Sequence, residues 1–141
     1  MESCDPLPTT PPKVLIVDDD PAIVELLSGF LRLEEYQILT AVDGAEAVST
    51  AVTQLPDLIL LDINLPKLNG YEVCRWLRAE EITRSIPIII ITGHLDFSNR
   101  EAALEAGANE LLTKPIRCEE LLTRMRDLLQ HDQPAASMER R

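Results

Sequence analysis

The chain has 141 residues, of which 45% are hydrophobic and 26% are charged, and its formal net charge is −11. This length predicts one domain with a core of its own, and the composition is that of a globular protein. The negative charge argues against nucleic-acid binding through the overall field of the domain. No apolar stretch approaches the roughly 18 residues that a membrane-spanning helix needs.

The two ends of the chain differ in composition from its middle. Residues 1–12 contain four prolines and are predicted to form a flexible tail, and residues 131–141 are predicted to form a polar tail or linker. The domain is therefore expected over residues 13–130. No signal-peptide pattern and no Cys-x-x-Cys spacing occur, so we expect a reduced, cytoplasmic protein without a zinc site.

Between these ends, apolar runs alternate with helical patterns in chain order. Strands are predicted at residues 13–18, 37–41, 58–61, 88–91 and 110–113. Helices are predicted after the capping residues Asp20 and Asp43, and then at residues 71–81, 100–106 and 118–130. The apolar spacing includes Leu26 in the stripe of the first helix and places Trp76 on the inner side of the third.

Five βα units predict an α/β fold, namely a doubly wound, five-stranded parallel sheet in a flavodoxin-like three-layer sandwich. The expected strand order is 2-1-3-4-5. In that arrangement the strand order reverses between the first and third strands. Open α/β sheets bind ligands at such a point, outside the carboxyl ends of their strands.

Polar side chains stand at the ends of four of these strands. Asp18 ends the first strand and is followed by Asp19 and Asp20. Asp62 follows the third strand, Thr92 the fourth and Lys114 the fifth. Carboxylates suit a hard divalent cation such as Mg²⁺, and an aspartate can also act as a nucleophile toward phosphorus. A cation, an ammonium group and a hydroxyl would neutralise charge on the phosphoryl oxygens.

Each of these residues alone has a simpler structural explanation, such as helix capping by Asp20 or a strand preference of threonine. Their occurrence at successive strand ends is what favours a phosphoryl site. Three carboxylates at one edge would repel each other unless a cation or Lys114 lay nearby.

With these residues in view, the chain closely resembles the receiver domain of bacterial two-component response regulators. The matching segments are VLIVDDDP (14–21), LILLDINLPKLNGYE (58–72), PIIIITG (87–93) and the GA-x-x-x-L-x-KP pattern (107–115). The resemblance covers about residues 13–130, and the assembled set of segments is highly specific.

The resemblance implies a role for each site residue. Asp62 would be the phosphoacceptor, and Asp18 and Asp19 would bind Mg²⁺ together with Asp62 and the backbone carbonyl of Asn64. Thr92 would hydrogen-bond the phosphoryl group, and Lys114 would pair with Asp62 and then with a phosphoryl oxygen. The family also implies a cis peptide bond before Pro115.

Leu111 departs from the family pattern. The family often has an aromatic residue three positions before the lysine, coupled to the threonine as a rotamer switch. We therefore expect the phosphorylation chemistry to be retained without switching by an aromatic side chain.

The family further implies partners. The phosphoryl donor would be a sensor histidine kinase or a histidine phosphotransfer protein, and the output partner would bind the face of helix four, strand five and helix five. A homodimer formed on phosphorylation is another implied partner, whereas direct contact with nucleic acid or membrane is not expected. The chain would be a stand-alone receiver or one whose tail leads to a further module.

Two alternatives remain open at this point. In a phosphohydrolase of the haloacid dehalogenase type, Asp18 and Asp20 would form the Asp-x-Asp nucleophile motif, but the residue expected two positions later is replaced by Ala22. An inactive pseudo-receiver used as a scaffold is the other, although the acidic, threonine and lysine set is complete. We expect a signalling module that catalyses its own phosphorylation and slow dephosphorylation, and not a dedicated enzyme.

Overall fold

The computed structural model describes residues 11–65, 69–93 and 97–130, with only the backbone of residues 97–99. The predicted tails fall outside these residues, apart from residues 11 and 12. The strands are β1 (Lys13–Val17), β2 (Gln37–Ala41), β3 (Leu58–Asp62), β4 (Ile88–Thr92) and β5 (Glu110–Thr113). The helices are α1 (Pro21–Arg32), α2 (Gly44–Gln54), α3 (Gly70–Ala79), α4 (Phe97–Ala106) and α5 (Cys118–Gln130). Within this part of the chain no helix is long and apolar enough to cross a bilayer.

All five strands lie parallel in one sheet, in the order β2-β1-β3-β4-β5. This order confirms the predicted flavodoxin-like topology. Because β1 lies between β2 and β3, the direction of winding reverses between β1 and β3. The register pairs Val17 with Leu61 and Asp62 with Ile91, so these strands end at the same edge of the sheet.

Side chains alternate between two hydrophobic clusters, one on each side of the sheet. In β3, Ile59 and Leu61 face the cluster covered by α2, α3 and α4, whereas Leu58 and Leu60 face the cluster covered by α1 and α5. Burial on both sides explains why the central strands are continuously apolar in sequence. The sheet is thus a fixed frame that holds the residues at its carboxyl edge.

Side chains cap the first three helices, and the caps of the first two are those that the sequence predicted. Asp20 accepts a hydrogen bond from the backbone N–H of Ala22 at 3.0 Å, and Asp43 accepts one from Glu46 at 2.7 Å. At α3, Asn69 and Glu72 form a reciprocal capping box. These caps fix where each helix leaves the functional edge of the sheet.

The structure corrects several details of the prediction. The third strand includes Asp62. Helix α4 begins at Phe97 and not at Arg100 as predicted. The prediction missed this first turn because residues 97–99 do not continue the apolar periodicity of the helix. The sequence placed Trp76 in the inner stripe of α3 as a core or half-core residue, whereas 39% of it is exposed. Val73, Cys74 and Leu77 face the sheet, and Trp76 lies about 100° around the helix from Leu77. Leu26 is likewise 43% exposed.

Candidate functional site

Three carboxylates converge at the point where the winding of the sheet reverses. Asp18 and Asp19 directly follow β1, and Asp62 is the last residue of the adjacent β3. One carboxylate oxygen from each of the three lies within 4.8 Å of the others. Asp18 and Asp62 are buried, whereas Asp19 is exposed. The structure therefore brings together the three carboxylates among the four residues that were predicted as metal ligands.

The start of α3 packs directly against the backbone of Asp62. The N–H of Gly70 donates to the carbonyl oxygen of Ile63 at 2.8 Å. A Cβ at position 70 would lie 2.6 Å from the carbonyl oxygen of Asp62 and 2.8 Å from Cα of Ile63, so only glycine allows this approach. Sequence reasoning assigned no role to Gly70, although its position directly after the capping residue Asn69 was a usable signal.

A hydrogen bond to the start of α1 fixes the position of Asp18. Its Oδ1 accepts the backbone N–H of Asp20 at 2.9 Å, and Asp20 itself caps α1. Asp18 is therefore held by the turn that leads into the helix.

Lys114 supplies a positive charge to this cluster. Its Nζ lies 3.4 Å from Oδ1 of Asp62 and 3.8 Å from Oδ2 of Asp18. The backbone N–H of Lys114 donates to the carbonyl oxygen of Thr92 at 2.8 Å, which ties the ends of β4 and β5 together. The Lys114–Pro115 peptide bond is cis, as the resemblance implied.

The other predicted residues occupy the same edge or its vicinity. Thr92 is the last residue of β4 and is buried, and Asn64 is an exposed residue in the segment that follows β3. Leu111 is buried in the cluster below α2, α3 and α4, so it is a core residue in this structure. Its apolar side chain cannot form a hydrogen bond of the kind that a polar switch residue at this position would use.

Burial dominates the electrostatics of the two inner carboxyl groups. It raises the pKa of Asp62 above its usual value, and the negative charge of Asp18 raises that pKa further, while Lys114 acts in the opposite direction. Burial also raises the pKa of Asp18, against the hydrogen bond from Asp20 and the charge of Lys114. Three ionised carboxylates in this position are thus unfavourable on their own, and binding of a positive charge stabilises them.

One buried side-chain oxygen of the cluster has no hydrogen-bond partner among the residues that the structure describes. Within the described residues, Oδ1 of Asp62 is buried and accepts no hydrogen bond, because the Lys114 ammonium is at ion-pair distance without hydrogen-bond geometry. A buried carboxylate oxygen in that condition is costly unless a further group binds it. Hard oxygen donors of this kind fit Mg²⁺, which takes one or two carboxylates and retains several waters.

Comparison with known proteins gives a consistent family assignment. A family model described as the response regulator receiver domain matches residues 14–126. The DNA-binding dual master transcriptional regulator RpaA of Synechocystis sp. is 43% identical over 118 residues, which are 84% of this chain and 49% of that protein. The response regulator MprA of Mycobacterium sp. (strain KMS) is 42% identical over 124 residues, covering 88% of this chain and 53% of that protein. The chain thus spans about half the length of these relatives.

A solved structure agrees with this assignment. The receiver domain of a sensor histidine kinase from Pseudomonas aeruginosa PAO1 superposes with a TM-score of 0.80 at 35% identity, covering 85% of this chain and 98% of that one. That protein has a magnesium ion coordinated in its active-site cleft. The haloacid dehalogenase and pseudo-receiver interpretations find no support in these matches. The chain belongs to the response regulator receiver domain family of two-component signalling.

Proposed function

We propose that Asp62 accepts a phosphoryl group and that Asp18, Asp19, Asn64, Thr92 and Lys114 assist the transfer. Receiver domains of response regulators signal through phosphorylation and receive the phosphoryl group from histidine kinases. The observation that carries the proposal is the buried Oδ1 of Asp62, which has no hydrogen-bond partner among the described residues and lies 3.4 Å from the Lys114 ammonium. This oxygen has a free lone pair for attack on phosphorus.

The proposed reaction transfers the phosphoryl group from a histidine of the donor to Asp62. A carboxylate oxygen of Asp62 forms the new P–O bond, and the P–N bond of the phosphohistidine breaks with its electron pair going to the imidazole nitrogen. Lys114 neutralises charge on a phosphoryl oxygen, and the Thr92 hydroxyl donates a hydrogen bond to another. Water then attacks the phosphorus of the acyl phosphate, the P–O bond to Asp62 breaks, and inorganic phosphate leaves with the Asp62 carboxylate restored. Slow self-dephosphorylation is thus part of the proposal.

The residues that would hold Mg²⁺ are Asp18, Asp19 and Asp62, with the backbone carbonyl of Asn64. When bound, the cation would reduce the repulsion between an anionic phosphoryl group and the carboxylates. Within the acidic cluster, Asp19 is the exposed member and Asp18 and Asp62 are the buried ones. We therefore assign entry of the ion to the side of Asp19.

The output of the domain is also a proposal. Thr92 connects the site to the segment that leads into α4, and the surface of α4, β5 and α5 would change its partner preference when Asp62 is phosphorylated. A second copy of the chain is one such partner. The donor would be a sensor histidine kinase or a histidine phosphotransfer protein.

Intact-mass measurement tests the chemistry directly. Incubation with Mg²⁺ and acetyl phosphate should add one phosphoryl group to the wild-type chain, and chelation of the metal should prevent the addition. Asp62→Asn should remain unmodified. Asp57→Asn is the matched control, because Asp57 is an exposed aspartate that immediately precedes β3, at the opposite edge of the sheet. It should be phosphorylated like the wild type.

Two results would contradict the assignment. One is phosphorylation of Asp62→Asn to the wild-type extent, and the other is modification at Asp18, which the haloacid dehalogenase alternative requires. Peptide mapping of the phosphorylated chain after reduction with borohydride identifies the modified aspartate and separates these cases.

A further inference from the structure

Arg78 is a partly buried arginine in the last turn of α3, and it takes no part in the site described above. Its Nε donates to the carbonyl oxygen of Gly107 at 2.8 Å, and its Nη2 donates to Oδ1 of Asn109 at 2.8 Å. Its Nη1 donates to the carbonyl oxygens of Arg84 at 2.8 Å and Ile86 at 2.6 Å. We call these five residues the Arg78 network. A planar guanidinium can serve such a spread of acceptors, whereas an ammonium group cannot.

The acceptors of Arg78 belong to two different connections of the fold. Arg84 and Ile86 lie between α3 and β4, whereas Gly107 and Asn109 lie between α4 and β5. Asn109 is itself bound to the start of β4, because its Oδ1 accepts the N–H of Ile88 at 2.9 Å and its N–H donates to the carbonyl of Ile88 at 2.8 Å. Arg78 therefore joins the end of α4 to the sheet.

The C-terminal end of α4 is built around this contact. Ala108 donates to the carbonyl of Ala103 and Gly107 donates to that of Leu104, both at 3.0 Å, which is a Schellman ending. Gly107 has a φ of +105°, and a Cβ there would lie 2.6 Å from Cγ of Arg78. Glycine is thus required by the backbone and by the passage of the arginine side chain.

Apolar packing holds the described part of α4 only weakly. Among residues 100–106, the buried side chains are the small ones of Ala103 and Ala106, and Leu104 is 55% exposed. In contrast, α5 buries Leu121, Leu122 and Met125. Since residues 100–106 bury so little apolar surface, this part of the helix depends more on the polar contacts at its C-terminal end for its position.

We propose that the Arg78 network fixes the C-terminal end of α4 as a pivot point, so that phosphorylation of Asp62 moves the first turns of this helix about Gly107. The phosphorylation part of this inference rests on the proposed function. The segment before α4 begins at Thr92, beside Asp62, so a change at the site reaches the start of the helix first. The end of the helix stays bound to Arg78. Arg78 is therefore a positioning residue and not a catalytic one.

Hydrogen exchange measured by mass spectrometry tests the pivot in the full chain. Peptides covering residues 97–102 and 103–108 are compared without phosphodonor and with Mg²⁺ and acetyl phosphate. The variants are Arg78→Met, which keeps the aliphatic stem, and Asn109→Ala, which removes one acceptor. Arg75→Met is the matched control, because Arg75 is an exposed arginine one turn earlier on the same helix.

In the wild type, phosphorylation should change exchange in residues 97–102 and leave residues 103–108 unchanged. Arg78→Met should raise exchange in residues 103–108 about tenfold without phosphodonor, and phosphorylation should then change exchange along the whole helix. The rate of Asp62 phosphorylation should stay within about twofold of the wild type, because the network touches no site residue. Asn109→Ala should give a smaller rise of about threefold and provides the test if Arg78→Met does not fold.

Three results would overturn the proposal. The first is exchange of residues 103–108 in Arg78→Met within about twofold of the Arg75→Met control. The second is an equal rise in α1 and α5, which would show a general loss of stability. The third is a wild-type response to phosphorylation as large in residues 103–108 as in residues 97–102. If acetyl phosphate leaves the wild type unmodified, the proposed function fails, while the comparison without phosphodonor still decides whether Arg78 fixes the helix end.

Discussion

Asp18 and Asp62 differ from Asp19 in burial, and this difference decides how each carboxyl group affects stability. Burial raises the pKa of both buried groups because it disfavours their charged forms. The negative charge of Asp18 raises the pKa of Asp62 further, and the charge of Lys114 acts against the rise in both groups. Asp19 is exposed and keeps its contact with water. In the metal-free protein, the site therefore lowers the free energy of unfolding mainly through the buried carboxylates of Asp18 and Asp62.

The raised pKa values of Asp18 and Asp62 should make the metal-free protein less stable as the pH rises. Because the folded state has the higher pKa for Asp18 and Asp62, it binds more protons than the unfolded chain between the ordinary aspartate pKa of 3.8 and the raised pKa. The free energy of unfolding contributed by these groups therefore falls as pH rises through that window. Urea denaturation at a series of pH values, in the presence of a chelator, measures the dependence.

Asp62→Asn isolates the contribution of one group. Below the window the variant and the wild type should have similar stability, and at pH 7 the variant should be more stable by about 1 kcal/mol, since a buried negative charge has been removed. If the variant loses as much stability as the wild type when the pH rises, Asp62 is not the source of the pH dependence.

At the scale of elements, the junction between β3 and α3 places the proposed phosphoacceptor. Asp62 ends the strand, and Gly70 begins the helix in contact with the carbonyl oxygen of Asp62. The reciprocal cap of Asn69 and Glu72 fixes the direction in which the helix leaves. The backbone of Asp62 is therefore held in β3 on one side and packed against the start of α3 on the other.

Glycine-to-alanine changes at positions 70 and 29 should have opposite effects on the free energy of unfolding. Gly70→Ala would place a Cβ 2.6 Å from the carbonyl oxygen of Asp62, so it should lower the free energy of unfolding. A loss of about 2 kcal/mol is expected, because both contacting atoms belong to the backbone and cannot rotate away. The shift of Asp62 should also slow phosphorylation by acetyl phosphate.

Gly29→Ala is the matched control. Gly29 lies within α1, and a Cβ there would have no heavy atom within 4 Å beyond its immediate surroundings in the helix. This change should raise stability by about 1 kcal/mol, since alanine favours the helix, and should leave the phosphorylation rate unchanged. Equal stability of the two variants in chemical denaturation would contradict the close approach at position 70.

At the scale of the whole molecule, the sequence predicted the frame well and its long-range polar contacts poorly. The apolar runs predicted all five strands, and their alternation with helices predicted the sheet order that brings Asp18 beside Asp62. Amphipathic spacing failed where it was weak, as at the start of α4, or where a residue borders the buried stripe, as with Trp76. The contacts of Arg78 with Gly107 and Asn109 span 29 and 31 residues and involve a backbone carbonyl, which no local pattern encodes.

Cation binding at the acidic edge should appear as a change in the stability of the whole fold. A ligand that binds only the folded state raises the free energy of unfolding, by about 1.4 kcal/mol at ten times its dissociation constant. Titration with Mg²⁺, against Na⁺ at matched ionic strength, should show this rise in denaturation of the wild type. The rise should be largely absent in Asp19→Asn, because one of the three converging carboxylates is lost.

Asp19→Asn also separates metal binding from metal-free stability. Because Asp19 is exposed, the change should alter the metal-free free energy of unfolding by no more than about 0.5 kcal/mol. Glu101→Gln, which removes an exposed negative charge from α4, should keep the full Mg²⁺-dependent rise and controls for net charge. An undiminished rise in Asp19→Asn would remove Asp19 from the ligand set and leave the cation with the two buried carboxylates, Asp18 and Asp62.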